Sequence, residues 1–270
     1  FFARHSDIRA VIHFAALKAV GESVSKPLEY YFNNLNSLMN VLTCMREFKV
    51  PNLVFSSSCT VYGQADVLPV TEKTPRHEAE SPYGNTKVMS EDIIRDLMRV
   101  EPDMKALALR YFNPIGAHPT AFIGELPNGV PNNLIPYLTQ TAIGIREQLS
   151  VFGDDYNTPD GSPLRDYIDV VDLAQAHVVA IRRLLEGKNK ANYEFFNIGT
   201  GKGLSVLEII HAFENATGVK VNYKIVGRRA GDIEKVWADT TLANTELGWK
   251  AATPIEETMK NVWKWQQSLR

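Results

Sequence analysis

The apolar positions of this chain change period several times along its length. Ala10 to Ala15, Leu53 to Ser57 and Ala106 to Tyr111 are short, mostly apolar runs of the kind found in strands buried on both faces. Between them lie two segments of helical period, from about Pro27 to Lys49 and from Ser81 to about Val100. In the first, Tyr31, Leu35, Leu38, Leu42 and Met45 fall at helical spacing and predict its core-facing stripe. The second opens with Ser81 as N-cap and Pro82 at the first helical position. Strand, helix, strand, helix and strand in succession predict βαβ units on a parallel sheet, and so an α/β fold.

After Asn113-Pro114 the pattern changes. Pro114, Pro119, Pro127, Pro131, Pro136, Pro159 and Pro163, with many glycines, punctuate short elements and predict a second, more irregular region of mixed α/β character. The expected division is residues 1–114 and 115–270, with elements in about 169–204 as candidates to return to the first domain. Ser205 and Glu208 have the spacing of a capping box ahead of an amphipathic helix, Leu207 to Thr217. The preceding stretch Phe196-Asn197-Ile198-Gly199-Thr200-Gly201-Lys202-Gly203 resembles a phosphate loop only superficially. Leu204 stands where the last glycine of Gly-x-Gly-x-x-Gly belongs, so a tight strand-to-helix connection is the simpler reading. Asn33, Asn34, Asn36 and Asn40 are unusual inside a helix; ligand contact and plain solvent exposure are both open for each.

With 270 residues the chain is long enough to bury a substantial core. A formal charge of −2 provides no field that would gather nucleic acid or an anionic membrane, so neither is an expected partner. Cys44 and Cys59 are the only cysteines and form no Cys-x-x-Cys, which fits a reducing cytosol and no zinc cluster. No apolar run approaches the roughly 20 residues that span a bilayer. His5, His13, His77, His118, His177 and His211 show no metal-ligand spacing, and no Gly-x-Ser-x-Gly elbow is present.

Three residues carry candidate chemistry: Ser58, Tyr83 and Lys87. Ser58 follows a strand, at the carboxyl edge where open α/β sheets bind ligands, and Tyr83 and Lys87 are one helical turn apart. A tyrosine titrating near 10 is a poor base at neutral pH unless a cation stabilises its phenolate, and Lys87 is placed to be that cation. Ser58 would hold the oxygen of a substrate whose proton the phenolate accepts. Tyr-x-x-x-Lys alone is common on solvated helix surfaces. The strand-end serine and the Ser81-Pro82 helix opening supply the context that favours chemistry.

From Asp7 to near the carboxyl end the sequence resembles the UDP-glucose 4-epimerase family, NAD-dependent members of the extended short-chain dehydrogenase/reductase group. The likeness rests on Val11-Ile12-His13-Phe14-Ala15-Ala16-Leu17-Lys18-Ala19-Val20-Gly21-Glu22-Ser23, Ser56-Ser57-Ser58-Cys59-Thr60-Val61-Tyr62-Gly63, Ser81-Pro82-Tyr83-Gly84, Arg110-Tyr111-Phe112-Asn113-Pro114, Pro131-Asn132-Asn133-Leu134 and Arg165-Asp166-Tyr167-Ile168. It implies a Rossmann-like, doubly wound sheet with a smaller substrate domain. NAD would be the cofactor, contacted by Phe14, Ala15, Ala16, Lys18, Asn33 and Phe112 and by the reacting set Ser58, Tyr83 and Lys87. The substrate would be a UDP-hexose, held by Asn113, Asn133, Leu134, the Val151-Phe152 backbone, Arg165, Arg229 and Asp232. Without the family, Arg165 beside Asp166 and Arg229 near Asp232 read as surface ion pairs. Lys87 would also bind the nicotinamide ribose. Phe14 alone reads as a buried strand residue.

The resemblance further implies a cytoplasmic homodimer packed through the helices Pro27 to Lys49 and Ser81 to Val100. Val236, where the family places a gate near the sugar's C2 substituent, is modest in size, which extends the expected substrates to UDP-N-acetylhexosamines. A glycine-rich dinucleotide fingerprint is not found in the sequence, and the expectation is of a fragment preceded in its gene product by one or two βα units, on the order of 60 residues. This leaves a non-catalytic nucleotide-sugar-binding paralogue as the alternative. A 4,6-dehydratase is a further one, disfavoured because Cys59 and Thr60 occupy the places where those relatives carry Asp-Glu.

Overall fold

The computed structural model describes residues 1–229 and 233–269. In chain order the elements are β1 (Ala10–His13), α1 (Val20–Ser25), α2 (Pro27–Glu47), β2 (Asn52–Ser56), α3 (Pro82–Val100), β3 (Lys105–Tyr111), β4 (Asn113–Ile115), α4 (Leu134–Ala142) and β5 (Leu149–Phe152). They continue as β6 (Leu164–Arg165), β7 (Tyr167–Asp169), α5 (Val170–Leu185), β8 (Tyr193–Ile198), β9 (Leu204–Ser205), α6 (Val206–Thr217), β10 (Tyr223–Val226), β11 (Lys235–Val236) and α7 (Ile255–Ser268). The chain divides into two compact units, the first made of 1–111, 175–198 and 239–249, the second of 112–174, 199–238 and 250–270.

The first unit is built on a four-stranded sheet, β1-β2-β3-β8, in which every pairing is parallel. All five residues of β2 are buried, so it reads as one apolar run, whereas β1 at the edge is mostly half-exposed. The α/β class and the parallel sheet are as the periodicity predicts. Leu38, Leu42 and Met45 of α2 pack with Ile94 and Met98 of α3 against Leu53, Phe55, Ala106 and Ala108 of the sheet. The buried stripe of α2 opens with Tyr30 and Asn34, not with Tyr31 and Leu35, which are only half-buried. The polar pair is accepted because each finds partners: the Ala19 amide donates to Tyr30 Oη at 3.1 Å and Leu17 N to Asn34 Oδ1 at 2.8 Å.

The second unit holds three small sheets, β10-β5, β11-β6-β9 and β4-β7. Its core joins Leu149 and Val151 of β5 to Ile209, Ile210 and Phe213 of α6 and Met259 and Val262 of α7. The predicted capping box is formed: Glu208 N donates to Ser205 Oγ at 3.0 Å and Ser205 N to Glu208 Oε2 at 2.7 Å. At its other end α6 stops at Gly218 in the left-handed conformation, φ 71°. Among the described residues no helix is long and apolar enough to cross a membrane.

Candidate active site

Ser58 lies immediately beyond β2, where the extended strand gives way to a short turn of helix that it caps, accepting the Thr60 amide at 3.2 Å. Tyr83 and Lys87 enter from the first turns of α3, whose start is fixed by Ser81 Oγ accepting the Gly84 amide at 3.1 Å, with Pro82 at N1. The three side chains converge. Ser58 hydrogen-bonds the Tyr83 phenol, and Lys87 Nζ is 5.7 Å from the Tyr83 ring centroid. All three are more than nine-tenths buried, at 6, 8 and 5 % exposure.

Burial sets their ionisation. It pushes the Tyr83 phenol well above the ordinary tyrosine value; neighbouring Tyr111 adds to the rise and the Ser58 hydrogen bond opposes it. In the chain by itself loss of water therefore outweighs the groups that favour the phenolate. Burial likewise brings Lys87 down to about 8, with Glu91 pulling the other way. Its ammonium donates to the Ser56 carbonyl at 2.9 Å and lies 5.0 Å over the Phe55 ring. With three hydrogens and one hydrogen bond among the described residues, this buried cation keeps two donors for hydroxyls of a ligand.

The loop after β1 supplies the other expected cofactor contacts of this unit. Asn34 clamps it from α2, taking Leu17 N and giving its own amide to Leu17 O at 3.0 Å and to Thr86 Oγ1 at 3.2 Å. Asn34 is thus the helical asparagine held in place, whereas Asn33 is exposed and donates to Asn34 Oδ1 at 3.0 Å. Ala15 and Lys18 are exposed on that loop, and Ala16 is half-buried. Phe14 is not the buried strand residue its sequence suggests: it is 57 % exposed, its ring 4.6 Å from that of His177. An exposed aromatic, two small alanines and a donor-rich buried ammonium on one sheet edge suit a planar, hydroxyl-rich dinucleotide.

Tyr111, His177 and His13 extend the set beyond what the sequence pattern singles out. Ser56 Oγ lies 3.2 Å from His177 Nε2 and hydrogen-bonds Tyr111, which burial raises. His13, stacked on Phe55 at 6.1 Å, is lowered to about 4 by burial and then by Lys87.

In the second unit the expected substrate residues sit on several elements. Phe112 is buried, and the Asn113 amide donates to Asp166 O at 2.9 Å. Asn133 donates to Glu125 Oε1 at 2.7 Å just ahead of α4, which Leu134 begins. Val151 and Phe152 form the end of β5, and the exposed Arg229 guanidinium lies 5.4 Å from the Phe152 ring centroid. Arg165 and Val236 are cross-strand neighbours on β6 and β11, and Arg165 Nη1 donates to Leu164 O at 2.8 Å. Asp232 lies outside the described residues.

Asp166 is no surface partner of an arginine. It is fully buried, and its carboxylate accepts from Thr200 N at 2.8 Å, Thr200 Oγ1 at 2.7 Å, Gly201 N at 3.1 Å and Ala238 N at 3.1 Å. A β-carbon on Gly199 would stand 2.5 Å from its Oδ2. The glycine-rich stretch is therefore a tight connection wrapped on Asp166, with its amides already engaged, as the missing third glycine suggests.

A sequence profile described as GDP-mannose 4,6 dehydratase matches residues 2–262. UDP-glucose 4-epimerase of Mus musculus is 51 % identical over 266 residues, which are 98 % of this chain and 76 % of the mouse protein. The chain belongs to the UDP-glucose 4-epimerase family. Among solved structures, the Bifidobacterium longum UDP-glucose 4-epimerase in complex with NAD+ and UDP superposes with a TM-score of 0.93 at 47 % identity, covering 99 % of this chain and 78 % of that one. The epimerase of Stenotrophomonas maltophila, with bound NAD and formylated UDP-arabinopyranose, gives 0.95 at 47 % identity over 99 % and 79 %. The fold of the chain is that of these epimerases.

Proposed function

We propose that the chain interconverts UDP-glucose and UDP-galactose by inverting the sugar's C4, with NAD as a held cofactor. The observation that carries this is the convergence of Ser58, Tyr83 and Lys87 in a buried setting on an epimerase fold. Phe14, Ala15, Ala16, Lys18, Asn33 and Phe112 would hold the dinucleotide, with the spare donors of Lys87 on ribose hydroxyls. When bound, NAD supplies the hydride acceptor for C4 and, in its oxidised form, a positive charge that favours the phenolate. Tyr83 takes the proton of the 4-hydroxyl and later returns it, Ser58 holds that oxygen by a hydrogen bond, and Lys87 stabilises the phenolate.

Asn113, Asn133, Leu134, Val151, Phe152, Arg165, Arg229 and Asp232 would anchor the UDP moiety while the 4-keto sugar turns over. Arginine forks match pyrophosphate oxygens. Residues 1–114 would then serve mainly the cofactor and 115–270 the nucleotide sugar. Val236, modest in size, would leave room for UDP-N-acetylhexosamines. Cys59 and Thr60 beside Ser58 bring no carboxylate, which argues against dehydration. The setting is cytoplasmic, and the protein a homodimer through α2 and α3, where Leu28 and Phe32 are 81 and 75 % exposed.

The test is incubation of the chain with UDP-galactose and added NAD, followed by chromatographic separation of UDP-glucose. Conversion that Tyr83→Phe lowers by about 10²- to 10⁴-fold is the expected outcome. Wild-type conversion by Tyr83→Phe, or none by the parent chain, refutes the reading.

A further inference from the structure

The first unit contains a buried charge cluster outside the reacting trio. Glu91 on α3 is fully buried and lies one turn beyond Lys87. Arg110 of β3 grips its carboxylate with two bonds, Nε to Oε1 at 2.9 Å and Nη2 to Oε2 at 2.5 Å. Arg76 adds Nη2 to Oε2 at 2.5 Å, and Ser57 Oγ donates to Oε1 at 2.5 Å. Arg110 is itself boxed in, its guanidinium 3.9 Å from the Phe195 ring centroid and donating to Tyr62 Oη at 3.0 Å, which in turn donates to Asn197 Oδ1 at 2.7 Å.

Two arginines around a single carboxylate exceed what neutralising it requires, and beside the Tyr193 phenol that also faces it stands a second uncharged donor, Ser57. That residue sits between the two whose atoms serve the reaction: the Ser56 carbonyl binds Lys87 and the Ser58 hydroxyl meets Tyr83. The Ser57 backbone is tied to β3 through its amide on Leu109 O at 2.9 Å, and its hydroxyl ties the same point to α3. A strand end pinned to both β3 and α3 cannot shift without breaking a charge-assisted bond in a dry interior.

We propose that Glu91 is a positioning residue of the epimerase reaction: clamped by Arg110 and Arg76, it holds Ser57 and so fixes the strand end that offers the Ser56 carbonyl to Lys87 and the Ser58 hydroxyl to Tyr83. This rests on the epimerase reading. The same carboxylate opposes the effect of burial on Lys87. The other titratable groups facing that ammonium are His13 from β1, held neutral by burial, and Tyr83 on its own helix.

The experiment uses the chain labelled with [ε-13C]lysine, the Lys87 resonance being assigned by its loss in Lys87→Met, alongside steady-state kinetics with UDP-galactose and NAD. In Glu91→Gln the Lys87 titration midpoint is expected to fall by on the order of one pH unit, as removal of an adjacent opposite charge dictates. Ser57→Ala keeps the ion pair and leaves the midpoint in place, but lowers kcat by about tenfold or more with KM for UDP-galactose unchanged, because only the alignment of the reacting groups is disturbed. An unmoved midpoint in Glu91→Gln, or wild-type kcat in Ser57→Ala, overturns the inference. If Glu91→Gln does not fold, Ser57→Ala decides alone. A parent chain without epimerase activity refutes the functional reading instead, and the NMR midpoint still reports whether Glu91 acts on Lys87.

Discussion

Replacing His13 by phenylalanine should flatten the acid side of the stability profile. His13 is 6 % exposed and its imidazole is lowered from 6.5 to about 4 by burial and by the nearby Lys87 ammonium. The folded chain therefore refuses a proton that the unfolded chain accepts. Above pH 6.5 the residue is neutral in both states and has no effect. As the pH falls through 6.5 the unfolded state gains a proton and stability is lost, until the folded state also takes one up near 4. A gap of that size corresponds to about 3 kcal/mol in full, and about 2 kcal/mol of it should be gone by pH 5. Phenylalanine preserves a flat ring against Phe55, 6.1 Å away, without the titration. Urea unfolding of wild type and His13→Phe at intervals from pH 8 to 5 is the assay. The variant should gain about 2 kcal/mol on wild type across that range; parallel curves would refute the assignment.

Lys87→Met should trade activity for stability. The ammonium, brought from 10.5 to about 8 by burial, costs the folded state up to about 3 kcal/mol at neutral pH, a penalty relieved as pH rises from 8 toward 10.5. The variant should melt higher at pH 7, lack that alkaline rise, and lose on the order of a hundredfold in kcat; a lower melting temperature would contradict this. Gly199→Ala should destabilise the second unit by about 1–3 kcal/mol, since its β-carbon would meet Asp166 Oδ2 at 2.5 Å and the Ala238 β-carbon at 3.0 Å; an unaltered urea midpoint would contradict it. Val236→Tyr should abolish turnover of UDP-N-acetylhexosamines while sparing the hexoses, measured by assaying both sugar pairs. Equal turnover of both before and after the change would remove Val236 as the gate.

Much of the first unit was legible because its signals are local. The strand runs, the Ser81-Pro82 helix start and the four-residue step from Tyr83 to Lys87 need only neighbours in sequence. The same holds for the Ser205–Glu208 box. What stayed hidden depends on partners far along the chain. Nothing near Glu91 announces Arg110 and Arg76, and nothing near Asp166 announces the amides of Thr200, Gly201 and Ala238. Asn34 was one of four equivalent asparagines until the Leu17 backbone distinguished it. The first two buried positions of the α2 stripe fall one residue ahead of the predicted ones for the same reason, because Tyr30 and Asn34 are buried polar groups whose partners, Ala19 and Leu17, lie on another segment. The net rise of the Tyr83 phenol also escapes the sequence, because spacing reveals a nearby amine but not the loss of water.

The two units are interleaved along the polypeptide: residues 175–198 and 239–249 belong with the first, and 199–238 and 250–270 with the second. During vectorial synthesis neither unit can be finished by its opening stretch alone. β8, which flanks β3, leaves the ribosome long after β1 to β3 have been made, so the growing chain must wait with one side of β3 unpaired. No single cut would release either half intact, and attempts to express one as a contiguous piece should give insoluble material.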